Sequence, residues 1–184
     1  MKPLETERLF LRPWQESDAE AMFATYAQSP VVGPAAGWKP HASIEETRTI
    51  IENFIKEDET WAVTLRTDRR LIGSLGLHRD AMRSSEIKSR MLGYVLAEEA
   101  WGHGYATEAA KRVIAFAFEE MGLETVSVCH FPFNVRSRRV IEKCGFQYEG
   151  TLRRTNRRYD DVVLDSCCYS ILREEYFAAK EGAR

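Results

Sequence analysis

The sequence contains no run of about 18 apolar residues, the length that a membrane-spanning helix needs. Its first residues, Met1 to Arg12, alternate charged and apolar side chains where a secretory signal would carry an apolar core. No membrane partner is expected, and a cytoplasmic location is. Surplus charge is also missing. The 26 Lys and Arg residues face 28 Asp and Glu, a net charge of −2, so nothing argues for a nucleic-acid partner. Cysteine is scarce: Cys129, Cys144, Cys167 and Cys168 fit neither a zinc-ligand spacing nor a disulfide framework. No metal is expected, and the four read as buried thiols of a reducing compartment.

What is present suits a single domain over residues 1–184. Glu7 to Trp14 reads as a first strand. Ser17-Asp-Ala-Glu20 and Ser43-Ile-Glu-Glu46 are capping boxes, each followed by apolar residues at helical spacing. Between these helices, Ser29 to Ala42 holds three prolines and two glycines and predicts a loop. Trp61 to Leu65 and Leu71 to Leu77 predict a hairpin, and Ile87 to Leu96 a further strand. A helix over Thr107 to Met121 carries Ala110, Val113, Ile114, Ala117 and Phe118 on one stripe. A strand at Thr125 to His130 and a helix at Asn134 to Cys144 follow, then strands at Phe146 to Arg154 and Val162 to Leu172, then a helical tail. This mixture of strand runs and helices predicts an α+β, or mixed α/β, sheet.

The most informative segment is Leu92-Gly-Tyr-Val-Leu96 followed by Ala97-Glu-Glu-Ala-Trp-Gly-His-Gly-Tyr-Ala-Thr107. A strand runs into two glycines and a helix begins directly after them. Gly102 and Gly104 can adopt angles that turn successive N–H groups toward one point. The helix start adds unpaired donors and a partial positive charge, completing an anion site. The loop carries no lysine or arginine, so the backbone must do the binding. Four or five hydrogen bonds to a charged group give on the order of 6–15 kcal/mol before entropy. Micromolar affinity needs about 8 kcal/mol, so the backbone alone could hold a diphosphate. Neither the nucleotide P-loop nor the three-glycine dinucleotide fingerprint is matched, which weighs against an ATP-dependent transferase.

Further along stands Asn134-Val-Arg-Ser-Arg-Arg-Val-Ile-Glu-Lys-Cys-Gly-Phe146, in which Asn134 can cap its helix. Together with Trp101-Gly-His-Gly-Tyr-Ala-Thr-Glu-Ala109, the opening Leu4-Glu-Thr-Glu-Arg-Leu-Phe-Leu-Arg-Pro13 and the closing Tyr169-Ser-Ile-Leu-Arg-Glu-Glu175, it resembles the GNAT superfamily of N-acetyltransferases, in the branch of the ribosomal-protein-alanine N-acetyltransferases. The resemblance implies a seven-stranded mixed sheet, splayed between its fourth and fifth strands, with about four helices and acetyl-CoA in the gap. It implies that the backbone of Trp101, Gly102, His103, Gly104, Tyr105, Ala106 and Thr107 holds the diphosphate, and that Val95 and Leu96 border the pantetheine. The Leu96 N–H would stabilise the oxyanion, Asn134 would bond the pantetheine arm, and Ser137 would help the leaving thiolate.

Two family features are replaced. A tyrosine often stands seven residues after the asparagine, where this chain has Ile141, and a glutamate often stands two residues before the Gly-Tyr, where it has Met91. Glu86, His78 and Asp165 are the candidates for the missing base. At pH 7, deprotonating an α-amine costs about 1 kcal/mol and a lysine about 4.6 kcal/mol, which favours a weakly basic acceptor such as a ribosomal-protein or peptide N-terminus. Trp38, in the long loop, and Tyr94 are the expected acceptor-binding residues. The alternatives are a small-molecule amine acetyltransferase and a catalytically silent acyl-CoA sensor, and the oligomeric state is open between monomer and homodimer.

Overall fold

The structure, a computed structural model, describes residues 1–182. Its strands are β1 (Leu4–Glu5), β2 (Leu9–Arg12), β3 (Thr60–Leu65), β4 (Leu71–Arg79), β5 (Ser89–Leu96), β6 (Thr125–His130), β7 (Gln147–Arg157) and β8 (Val163–Leu172). Its helices are α1 (Ala19–Met22), α2 (Val32–Ala36), α3 (Ile44–Glu57), α4 (Tyr105–Glu119), α5 (Val135–Lys143) and α6 (Arg173–Gly182). The strands form one mixed sheet in the order β1-β2-β3-β4-β5-β6-β8-β7. The mixed α/β class is as expected, with eight strands instead of seven. The extra strand arises because the chain reverses at Thr6–Arg8, where the Thr6 hydroxyl accepts from the Leu9 N–H at 2.9 Å. That turn lays Leu4 opposite Leu11.

Three local readings are corrected. The first helical segment is capped at Gln15, not Ser17, because the Asp18 carboxylate turns back to the Gln15 N–H at 2.9 Å and to the Arg12 guanidinium at 2.7 Å. The loop from Ser29 to Ala42 contains α2. Pro34 is tolerated there because it falls in the first helical turn, where an N–H is not needed, and Gly37, at φ +95°, ends the helix. In α3, Ser43 caps the Glu46 N–H as a capping box requires, but the Glu46 carboxylate reaches back to the Ala42 N–H at 2.8 Å.

Two apolar layers enclose the sheet. On one face α4 lays Ala109, Ala110, Val113, Ile114, Ala117 and Phe118 against Leu75, Leu77, Leu92 and Leu96. On the other, α1 to α3 and Trp14 cover Ala62, Leu71 and Val95. Side chains alternate along β5, so Leu92, Tyr94 and Leu96 face α4 while Met91, Gly93 and Val95 face α1 to α3.

The feature that positions the site is where β5 leaves β6. Strand β5 stays paired with β4 from Arg90 to Leu96, yet its parallel pairing with β6 covers only Ser89 to Met91 against Thr125 to Ser127. Beyond Met91 the two strands diverge, and β6 continues along β8. The expected splay is therefore present between these two strands. Gly73 keeps the free end of β5 on β4: a Cβ there would meet the Val95 carbonyl oxygen at 2.2 Å. We expect Gly73→Ala to destabilise the fold by about 1–3 kcal/mol through overpacking, read as a lowered urea midpoint.

Candidate active site

Gly102 and Gly104 have φ of +80° and +82°, the left-handed angles that glycine supplies without strain. Helix α4 starts at Tyr105, two residues before the expected Thr107, and its first internal backbone bond runs from the Glu108 N–H to Gly104 at 3.0 Å. The N–H groups from Gly102 to Thr107 consequently have no acceptor within the described residues. Nothing lies within 4 Å of where a Gly102 Cβ would stand. An open row of free amides at a helix start fits a diphosphate. Trp101 departs from expectation. Its N–H is taken by Glu98 at 3.0 Å and its indole Nε1 donates to the Leu96 carbonyl at 2.8 Å, so it braces the cradle and does not add a donor.

Positive charge, absent from the loop itself, comes from elsewhere. The Arg8 guanidinium covers the Tyr105 ring at 4.7 Å and donates to the His103 carbonyl at 3.0 Å. Glu108 holds it through Nε at 2.7 Å, and also accepts from the Thr6 hydroxyl and the Arg8 N–H. The His103 ring also stacks on Tyr105, with centroids 5.5 Å apart. Burial raises the Glu108 pKa, but these hydrogen bonds and the Arg8 charge outweigh it and hold the carboxyl below the usual range. Arg136, Arg139 and Lys143 of α5 line the same cleft, with Arg136 4.6 Å over the Trp101 ring. Their spacing of three and four residues puts them on one helix face, a signal legible in the sequence.

The cleft, about 1040 Å³, runs from this cradle through the splay to Trp38 and His78. The Ala97 N–H donates to Ile72 on β4 at 2.8 Å. Strand amides alternate sides, so the Leu96 N–H faces the opposite edge, where β6 has turned away. Val95 and Leu96 line the gap.

Asn134 caps α5, its Oδ1 accepting from the Ser137 N–H at 3.0 Å, while its Nδ2 donates to the Ala35 carbonyl of α2 at 3.1 Å. One amide hydrogen and one lone pair remain for a ligand. Tyr94 points toward α5, away from the Trp38 face where acceptor binding was expected. Its hydroxyl lies 2.9 Å from Ser137 Oγ, and burial pushes its pKa well above the usual phenol range, which leaves it a hydrogen-bond donor. This phenol beside Ser137 was missed because it lies 43 positions from the serine in sequence. Ile141 is buried in the core. Of the three candidate bases only His78 lines the cleft; Asp165 accepts from the Arg154 N–H at 2.8 Å and Glu86 is exposed on the loop between β4 and β5. Among the described residues, no group of three or more His, Cys, Asp or Glu side chains could hold a metal ion. No helix there is long and apolar enough to cross a membrane.

Comparison with known proteins assigns this splayed sheet to the acetyltransferases. The model of the acetyltransferase (GNAT) domain matches residues 8–147. The chain is 32% identical over 175 residues to the Bacillus subtilis (strain 168) protein named "Uncharacterized N-acetyltransferase YoaA", covering 92% of this chain and 96% of that one. It superposes with a TM-score of 0.84 on the crystal structure of an acetyltransferase (GNAT family) from Bacillus anthracis, at 26% identity over 94% of this chain and 99% of that one. The microcin C7 self-immunity acetyltransferase MccE, solved with acetyl-CoA and AMP, shares the fold at a TM-score of 0.78 and 18% identity, covering 91% and 93% of the two chains. The chain belongs to the GNAT acetyltransferase family.

Replacing Gly104 by alanine tests the cradle. An Arg8 nitrogen would sit 3.5 Å from the new Cβ, an ordinary contact, so the cost is conformational. We expect that cost, about 1–2 kcal/mol for a left-handed residue, to appear as a roughly 5- to 30-fold weaker coenzyme A affinity in titration calorimetry.

Proposed function

We propose that the protein uses acetyl-CoA to acetylate a primary amine, a protein or peptide N-terminal α-amine in preference to a lysine side chain, by direct attack within a ternary complex in the cytoplasm. One observation carries this reading: free amides at Gly102 to Thr107 open into a continuous cleft that passes the unpaired edge of β5. The MccE complex and the family membership support the choice of acetyl-CoA.

In this reading the free amides bind the diphosphate, with Arg8 fixing the shape of the loop and the α5 cations lying along the adjoining wall. Positioning and oxyanion stabilisation supply most of the rate. The Leu96 N–H meets the charge that develops on the carbonyl oxygen, and Trp101 fixes that peptide by bonding its neighbouring carbonyl. Ser137 faces the departing sulfur. The Tyr94 hydroxyl lies within reach of both Ser137 Oγ, at 2.9 Å, and the Ser137 carbonyl, at 3.2 Å; when the phenol donates to Oγ, the serine keeps its own proton to offer the thiolate. A thiol with pKa near 8.5 needs little further help to leave.

The acceptor class follows from proton energetics. A free α-amine is partly neutral near pH 7, whereas a lysine must overcome about 4.6 kcal/mol. Initial rates with acetyl-CoA over a panel of peptide α-amines, lysine side chains and small amines, with products identified by mass spectrometry, check the proposal. The α-amines are expected to lead; a clear preference for lysine would reject this acceptor class, and binding without turnover would make the protein an acyl-CoA sensor. Within the site, Ser137→Ala is expected to lower kcat by about 10-fold or more with less effect on acetyl-CoA KM. Tyr94→Phe is expected to lower it less, as stopped-flow measurement of thiol release would read.

A further inference from the structure

A reaction on an ammonium needs a proton acceptor, and the cleft wall offers few. Among the described residues, no aspartate or glutamate lines it. The Tyr94 hydroxyl and the Cys129 thiol are both driven upward by burial and stay protonated. Lysine and arginine side chains are donors with no acceptor lone pair to offer. Two histidines remain. His130 is buried with both nitrogens engaged, Nδ1 at 2.8 Å from the Phe131 carbonyl and Nε2 at 3.3 Å from the Tyr169 hydroxyl. His78 is different: its side chain is 42% exposed, and its Nδ1 lies 3.6 Å from Glu59 Oε2.

The register of the sheet fixes where His78 points. It is the direct antiparallel partner of Met91, so its side chain rises on the same face as Met91, Gly93 and Val95, the face toward Trp38. The next pair on that face is Gly76 with Gly93. The imidazole lies back over this pair, with Nε2 2.7 Å from where a Gly76 Cβ would stand and 3.3 Å from that of Gly93. Paired glycines inside a ladder weaken it and mark a close approach, and here they form the floor under the ring. The ring is therefore displaced along β5 toward Leu96. From Gly93 to Leu96 is about 10 Å along the strand. That length accommodates an oxyanion hydrogen bond, a carbonyl, a near-attack contact of about 3–3.5 Å and a second hydrogen bond to a base.

We propose that His78 is the general base of this site, with its Nε2 taking the proton of the acceptor ammonium and Glu59 positioning the ring from Nδ1. The inference rests on the reading of the protein as an amine acetyltransferase. The Nε2 lone pair accepts one proton from R–NH3⁺ and releases it to solvent after turnover. The freed amine forms the C–N bond, the C–S bond breaks with its electron pair on sulfur, and the second nitrogen proton balances the thiolate. Glu59 is the acidic side chain within 4 Å of the ring, and its carboxylate offsets the charge of the imidazolium. Its own backbone is pinned to β4, its carbonyl accepting from the Leu77 N–H at 2.9 Å. Arg79 and Arg90, the next pair along, fall on the opposite sheet face. Trp38 and Phe54 on the near side are uncharged, and Cys129 and His130 are the titratable groups of the cleft wall contributed by β6.

The test combines kinetics with the tautomer of His78. For an α-amine peptide, His78→Ala is expected to lower kcat/KM by about 10²- to 10⁴-fold, leave acetyl-CoA KM within about twofold, and change the acid limb of the pH–rate profile to one that follows the ionisation of the acceptor amine alone. The deficit should shrink for an aromatic amine, which is already neutral near pH 7. His78→Gln serves as the second variant should alanine impair folding. Glu59→Gln should give a smaller loss and reduce the Nδ1–H tautomer of His78 in long-range ¹H–¹⁵N spectra, with Glu59→Asp restoring part of both. Unchanged kcat/KM and acid limb in His78→Ala would overturn the base and leave the transferase reading intact. An equal deficit for amines of every basicity would also overturn it. Wild-type protein that turns over no amine would overturn the transferase reading, and the base with it.

Discussion

The active-site cleft depends on one constraint, the separation of β5 from β6 after three residue pairs. A parallel pair that continued to Leu96 would bury its backbone amides in ladder hydrogen bonds and leave no room for a substrate. Because β4 holds β5 from Arg90 to Leu96, the free edge can stay extended without a partner. The energetic cost of that unpaired edge is contained by packing on both faces. Leu92 and Leu96 are buried under α4, and Val95 packs under the opposite helices. The edge thus combines packed side chains with unpaired backbone polar groups.

Around this gap, each wall has a different chemical character set by sheet alternation. One face of β5 presents Tyr94 to Ser137, and the other presents Gly93 and Val95 to the His78 side. Tyr94 with Ser137 and His78 with Glu59 are therefore separated by the sheet itself, with the Leu96 amide on the edge between them. Helix α2, on the Trp38 side of the cleft, is tied to the far bank through Asn134 and through the Arg158 guanidinium, which reaches the Pro34 carbonyl at 3.3 Å.

Much of this was legible in the sequence, and the rest was hidden for identifiable reasons. The glycine loop, the apolar stripe of α4 and the Asn134 cap are local patterns whose physics lies within a few residues. The strand positions of β3 to β8 follow from alternation in the same way. The cap at Gln15 was misread because Asp18 answers to Arg12 as well as to its own turn. Helix α2 was hidden by the prolines and glycines of the Ser29 to Ala42 segment around it, although Pro34 sits where a helix accepts one. Pairings that join distant segments could not be read at all: Arg8 with His103 and Glu108, Tyr94 with Ser137, His78 with Glu59. Each depends on a sheet register or a helix docking that no single stretch of sequence encodes.

The grip of Thr6 and Arg8 on Glu108 has a thermodynamic meaning. The first turn of α4 takes its final shape only when the opening strands have docked against a helix about a hundred positions away. Assembly of the anion cradle is thereby linked to closure of the whole chain. Any molecule seated there binds the native ensemble and not the unfolded one, and it stabilises the entire sheet in proportion to the logarithm of its concentration. The melting temperature of the protein is in this sense a gauge of how fully that cradle is occupied.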